Sequence, residues 1–555
     1  MSGLTKTESA LLAGFAAAVL FPLLYIARRL DDNTLTSWRW VWTDQNIGLM
    51  LLVCLAAVLV AYMLARTDLF DDQPVSWLLF LSLIIGLSIR DMPELLLDSS
   101  RYFLQAKYAA RYGAPDFFRQ WGHAMPAWTD MPLVPFLYGM LLRIFGENRP
   151  AIQLYNCLIF AGGVALTYLT ARFFLDRKSS FNAALFLLGM PYLLTQIPLL
   201  LVDVHVLFFY NLALYLFLRA VHDGGAGKVT LAAGGIALAM LVKFSTWPML
   251  LLLPLLAGLC FYRGNKRALI RAGAVFCLAA GFFTLYLAPK FEVVLEQLEL
   301  LRTYQAPALQ VWSEGLVSTF FFQIHPFIIF FAVLALVVLY RRGQAELLVI
   351  ALFIGFFFFT VQRIRYIIPL LPLLAIIGAA GLELLRFAET RRFIGLLAAG
   401  FAVIIVHSAY MPFFQTTGMA NIRNAGRYLD TIDSDAVEVH ILPQEQSRAP
   451  SFLILPQLDL FSRKTFIAPQ QWPRKTDSPA GYHPLRFAWT MPKPAAYSAD
   501  RLTIRDDTPL VVISGAPVDE GVINAIRANP AFTTVRHFNA CSGVFRYKTF
   551  IAVFQ

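Results

Sequence analysis

Residues Leu95–Phe118 read LLLDSSRYFLQAKYAARYGAPDFF. An aspartate and two serines follow an apolar run, and arginine and lysine come after them. Tyr102, Ala106 and Ala109 recur at helical spacing, with Arg101, Gln105 and Lys107 elsewhere. The pattern predicts a helix capped by Asp98 and ended by Gly113. Such a helix suits the plane of a membrane interface, apolar face down. Two readings stand on these residues alone. Either Asp98 caps a helix whose basic side meets lipid phosphates, or it is an acid placed for chemistry at the membrane edge.

The rest of the chain supplies the membrane. Of 555 residues, 58% are hydrophobic and 15% charged, whereas a soluble domain has about a quarter charged residues. Runs of about 20 apolar residues, the length needed to cross a bilayer, recur up to about residue 409. The formal charge of +11 sits mostly beside these runs, where it sets orientation and meets anionic head groups, so no nucleic-acid partner is expected. The segment Ala10–Ile26 lacks a small-residue cleavage site and reads as a retained helix. Five cysteines, Cys54, Cys157, Cys260, Cys277 and Cys541, show no paired metal-binding spacing.

Candidate spans lie near 9–27, 47–65, 76–90, 151–171, 181–197, 204–220, 229–243, 246–262, 268–288, 316–340, 345–361, 366–385 and 392–409. With the amino terminus in the cytoplasm, the inner turns hold Arg66, Arg172, Arg177, Lys178, Arg219, Lys228, Arg263, Arg271, Arg341, Arg342, Arg386 and Arg392. Arg28 and Arg29 run against that bias. The opposite side carries the long connections 91–150 and 289–315 and short links at 198–203 and 362–366, the kind of loops on which sites are built. Residues 1–410 thus read as a transmembrane domain. Residues 411–555 alternate strand-like runs (AVEVHIL, PLVVISG) with helical ones (NIRNAGRYLDTI, EGVINAIRAN), as in a small α/β domain outside the membrane. The expected fold class is a polytopic α-helical membrane protein of about thirteen transmembrane helices with that domain attached.

Five stretches occur in a telling order: LLLDSSRYFLQAKYAARYG (95–113), DMPLVPFLYGMLLRIFGEN (130–148), LLVDVHVLFFYNLALYLFLRA (200–220), LAMLVKFSTWPMLLLLPLL (238–256) and QRIRYIIPLLPLLAIIGA (362–379). In order and spacing they resemble the GT-C glycosyltransferases, in the branch of protein O-mannosyltransferases and the lipid A aminoarabinose transferase. The resemblance spans about residues 76–390. It implies the GT-C fold and transfer of a sugar, with inversion, from a polyprenyl-phosphate donor to an acceptor at the outer membrane face.

The resemblance also assigns roles. Asp98 matches the family's catalytic aspartate, a base for the acceptor proton, and Arg101 matches its phosphate-binding arginine; Tyr102 is a further candidate for substrate contact. The chain departs from the family at Ser99, where many relatives have glutamate, and at Asp130, where many have lysine. Asp130 could orient a sugar hydroxyl, coordinate a divalent ion or act as a second carboxylate. Asp203 matches an acid of the second external loop, and as an acid at the membrane edge it is costly to desolvate; a helix cap is the other reading. Lys243 could reach the phosphate or snorkel to the interface. Arg363 and Arg365, basic residues on the external side, call for an anion such as the donor phosphate, with Tyr366 beside them; a solvated turn is the other reading. Tyr304 and Glu314 lie in the candidate lid 289–315. Glu94 and His123 are candidate ligands for a divalent metal ion, the one cofactor considered; His205 and His325 have less support.

The expected partners are a polyprenyl-phosphate sugar, a lipid, glycan or protein acceptor, and membrane lipids. The expected location is a bacterial inner membrane, with the carboxy-terminal domain on the periplasmic side. Two rival activities remain, a lipid or polysaccharide ligase or phosphoryl transferase using similar donors, and a lipid transporter or flippase.

Overall fold

In a computed structural model of the chain, the described residues are 5–43, 45–307, 313–417, 419–442, 453–468, 495–498, 508–539 and 549–555. Helix is the only structure that satisfies every backbone group within one segment in lipid, and all thirteen predicted spans are helical. Among the described residues, seven helices are long and apolar enough to cross a membrane. Four of the predicted spans are broken by short interruptions, each next to a proline. Arg177–Leu188 gives way to Pro191–Gln196, and Thr246–Met249, which contains Pro248, to Leu252–Tyr262. π-helical turns at Ser318–Ile324 give way to Pro326–Arg341, and Ile364–Ile367 leads through a 3-10 turn containing Pro369 to Leu371–Leu382. Proline cannot donate to the preceding turn, so it starts a new helix more readily than it continues an old one.

Burial separates the centre of the bundle from its rim. Only 17% of the span Ile47–Ala65 is buried, against 94% of Ile364–Leu382. The first helices therefore border the bundle, and the helix that begins beside Arg365 runs through its middle.

The two ends of the bundle differ as the charge pattern implies. At one end the basic turns meet acids and carbonyls: Arg392 pairs with Asp71, Arg342 with Glu383, Arg263 with Glu346, and Arg177 Nη2 donates to the Asp72 carbonyl at 2.7 Å. The other end holds the segments 91–150, 198–203 and 362–366. It also holds the first hairpin, where buried Asp31 accepts from Trp38 N and Ser318 Oγ and Trp38 Nε1 donates to Tyr410 Oη. Arg28, which opposed the charge bias, stacks on Tyr25 at 4.0 Å.

Beyond the helix Met411–Gln415, the chain forms a helix at Ala420–Leu429 and a five-stranded sheet, β1 (Ala436–Ile441), β2 (Thr465–Ile467), β3 (Leu510–Ser514), β4 (Val535–Asn539) and β5 (Phe550–Phe554). The strand order is β2-β1-β3-β5-β4. β1 is parallel to β2 and β3, whereas β5 is antiparallel to β3 and β4. Apolar side chains of β1, β3 and β5 pack on the helices Ala420–Leu429 and Ile454–Leu460, in a core that also takes in Leu97 and Leu104.

The opening stretch forms the helix Asp98–Gln120, broken at Gly113 (φ 81°). Two expectations for it are corrected. Asp98 is not the cap, because Leu97 occupies that position and no side chain caps the helix. Nor does the apolar face lie open on one side of an interface. Tyr102, Ala106 and Ala109 are buried within the protein, against the helix Leu133–Phe145, where Gly139 permits the approach. A Cβ on Gly139 would come within 2.4 Å of Ala109 Cβ and 2.8 Å of the Ala106 carbonyl oxygen. Lys107 meets Asp459 and Glu147 instead of lipid phosphate.

Candidate active site

Four helix ends converge at this end of the bundle. Asp98 opens the helix Asp98–Gln120 and Asp203 opens Asp203–Asp223; Lys243 follows Ala226–Met240, and Arg365 sits in the first turn of Ile364–Ile367. Neither aspartate caps its helix. Each turns to cations instead. Lys243 Nζ lies 3.0 Å from Asp203 Oδ1, and Arg365 Nε donates to Asp203 Oδ2 at 2.9 Å. The same guanidinium reaches Asp98 through Nη1. Asp98 Oδ1 is 3.6 Å from Arg101 Nη2, which donates to Asp130 Oδ1 at 2.8 Å.

The result is one chain of alternating charge, Lys243–Asp203–Arg365–Asp98–Arg101–Asp130, assembled from six of the residues singled out in the sequence. Asp203 is almost fully buried, its side chain 1% exposed, while Asp98 retains 15%. Burial alone would push the Asp98 carboxyl up, but Arg365 and Arg101 outweigh it and hold it at about 2. Burial, helped by the Asp98 charge, pushes Asp130 above the usual carboxylate range in spite of Arg101. A fixed arginine between two acids places a cation where a phosphate could compete for it.

The remaining candidates divide. Tyr366 joins the charged cluster: its ring lies 5.1 Å from Lys243 Nζ and 5.6 Å from the Arg363 guanidinium, and its hydroxyl accepts from Gln305 Nε2 at 2.7 Å. Tyr102 is buried beside Arg101. Glu314, also buried, accepts from the Ile364 N–H at 3.2 Å and ties its loop to the Arg365 helix. The side chain of Tyr304 lies outside the described residues.

Glu94 and His123 are not brought together. Glu94 accepts from Arg149 Nη2 at 2.9 Å and from the Leu200 N–H at 3.0 Å, and His123 is exposed in a turn. Among the described residues no three His, Cys, Asp or Glu side chains gather as metal ligands would. His205 packs between the rings of Tyr138 and Tyr155. His325 Nδ1 accepts from the Phe327 N–H at the start of its helix.

Several residues that build the site were not foreseen. Gln105, one turn after Arg101, donates to the Pro126 carbonyl at 3.2 Å, and Gln297 Nε2 donates to the Asp130 carbonyl at 2.6 Å. The 198–203 link is held by Asn156 on the Leu199 carbonyl, by Tyr138 on the Leu201 carbonyl and by the Arg149–Glu94 pair. Arg149 carried a signal, since it is a cation at the site end of its span, the same anomaly that drew attention to Arg363 and Arg365. The glutamines carried none.

A polytopic helical bundle with a small mixed sheet at one end and a charged cluster beneath it has the fold of the GT-C glycosyltransferases. ArnT from Cupriavidus metallidurans bound to undecaprenyl phosphate is similar over 86% of this chain and 97% of that one, at 13% identity and a TM-score of 0.51. The apo state of the same protein gives the same coverage and identity with a TM-score of 0.52. Residues 126–289 match the model of the dolichyl-phosphate-mannose-protein mannosyltransferase family. That stretch contains Asp130, Asp203 and Lys243 and leaves out Asp98 and Arg365. No curated protein sequence matches the chain. The resemblance read from the sequence therefore holds at the level of the fold.

Proposed function

We propose that this protein is an inverting glycosyltransferase that moves a monosaccharide from a polyprenyl phosphate to an acceptor hydroxyl or similar nucleophile at the outer face of a bacterial inner membrane. On this reading the carboxy-terminal domain is periplasmic, on the site side. The observation that carries the proposal is the alternating chain in which Arg365 is shared by Asp98 and Asp203.

The donor phosphate takes Arg365 and Lys243 as its cations, because two anions cannot both hold one guanidinium at full strength. Asp98 then loses part of its pairing and becomes a better base, since an opposite charge nearby is what depresses a carboxyl. The acceptor oxygen attacks the anomeric carbon and its proton passes to Asp98. The bond from that carbon to the phosphate oxygen breaks, and the electron pair leaves with the polyprenyl phosphate. Arg101, held by Asp130, keeps Asp98 in register.

The test uses membranes containing the full chain and undecaprenyl-phosphate sugars labelled separately in sugar and phosphate. Sugar label should move to an acceptor while phosphate label stays with the lipid. Joint movement of both labels would mean a ligase or phosphoryl transferase. Transbilayer movement of intact donor without transfer would mean a flippase.

A further inference from the structure

Asp98 is held from outside the membrane domain. The helix Ile454–Leu460 of the carboxy-terminal domain lies against the first turn of Asp98–Gln120. From it Gln457 Nε2 donates to the Leu96 carbonyl and to Ser99 Oγ, each at 2.9 Å. Ser100 Oγ donates back to the Leu453 carbonyl at 2.6 Å. The bonds therefore grip residues on both sides of Asp98, and Ser99 is one of the two positions where this chain departs from the pattern of the family it resembles.

Gln457 is an odd residue to choose for packing. Its side chain is 1% exposed, and its Oε1 has no hydrogen-bond partner among the described residues. An unpartnered buried acceptor costs stability, whereas an apolar side chain of similar size avoids that cost. Leucines and an isoleucine already surround the position. The amide therefore serves the two bonds it donates more than the core of its own domain.

We infer that Gln457 is a positioning residue for Asp98, so that the carboxy-terminal domain is a working part of the site rather than an appended module. The inference rests on the proposed transfer reaction, in which the Asp98 carboxylate must meet the acceptor proton within hydrogen-bond reach. A carboxylate displaced by even about 1 Å loses rate of the order of 100-fold. Ser99 is the other half of the same device, because its hydroxyl accepts from Gln457 while donating to the Leu96 carbonyl at 2.8 Å.

The test compares full-length wild type with Gln457→Leu, Ser99→Ala and the double variant, in detergent or nanodiscs. Gln457→Leu should keep or raise the thermal midpoint and leave the affinity for undecaprenyl phosphate unchanged. The turnover of labelled sugar should nevertheless fall about 10- to 100-fold, and the amides of residues 99–104 should exchange with deuterium faster. The double variant should turn over no more slowly than the worse single one, as expected of two residues acting as a unit. Unchanged exchange in Gln457→Leu overturns the clamp whatever the protein catalyses. Faster exchange with unchanged turnover, or a loss of turnover that tracks a fall in the thermal midpoint, overturns the positioning role. Absence of transfer by the wild type, with the exchange difference present, counts against the proposed reaction and not against the clamp.

Discussion

Arg365 is shared by two aspartates that open different helices: its Nε donates to Asp203 Oδ2 at 2.9 Å, and its Nη1 reaches Asp98. One planar cation thereby joins the long connection 91–150 to the link 198–203, and its removal leaves Asp203 only Lys243 and Asp98 only the longer contact to Arg101.

Arg365→Met should destabilise the chain by less than the ~3–5 kcal/mol that removing one partner of an isolated buried pair costs, because Lys243 and Arg101 remain beside the two acids. Arg365→Lys should recover part of it, because an ammonium lacks the fork that spans both carboxylates. Thermal unfolding of the purified variants in one detergent measures both effects.

Asp98→Asn should lower sugar transfer about 10²- to 10⁴-fold, the typical contribution of a positioned base. Undecaprenyl phosphate should bind at least as tightly as to wild type, because its competitor for Arg365 has lost its charge. Paired turnover and binding measurements decide this. Near wild-type transfer in a correctly inserted Asp98→Asn protein would remove Asp98 from the mechanism.

The pH response of Asp98 has a definite sign. Its carboxyl is depressed in the folded chain to about 2, whereas an unpaired aspartate titrates near 3.9. Its contribution to stability is therefore complete above about pH 4 and lost as pH falls through about 2. Unfolding midpoints of wild type and Asp98→Asn should differ by a constant amount from neutrality down to about pH 4 and converge below it.

Gly139→Val should destabilise the chain by about 1–3 kcal/mol, since the new side chain must displace Ala106 and Ala109. Because those residues lie on the helix that starts at Asp98, transfer should fall with stability. Gly258→Val, at a position with nothing within 4 Å of its Cβ, is the neutral control.

The proposed orientation is open to labelling. With the native cysteines replaced, a cysteine at Gly264, in a basic turn, should react with a membrane-impermeant maleimide only after permeabilisation. One at Ala528, in the carboxy-terminal domain, should react in intact spheroplasts. The reverse pattern would place the site in the cytoplasm.

The membrane class, the helical spans, the two unlike ends and the residue types of the site are all legible in the sequence, because each depends on local properties. Runs of apolar residues must be helical in lipid, and an acid or arginine at the wrong end of a span is costly enough to stand out. Partners are another matter. Asp98 and Arg365 are 267 residues apart, and Gln457 and Ser99 are 358 apart. Nothing local says which helix ends meet. Packing around the central span Ile364–Leu382 decided that Asp98 and Asp203 would turn from capping to ion pairing, and that Glu94 would go to Arg149. It also put the helix Ile454–Leu460 over the first turn of the Asp98 helix. Side-chain chemistry is written along the chain, but the pairing of charges is set by tertiary packing, which brings together segments that the sequence holds far apart.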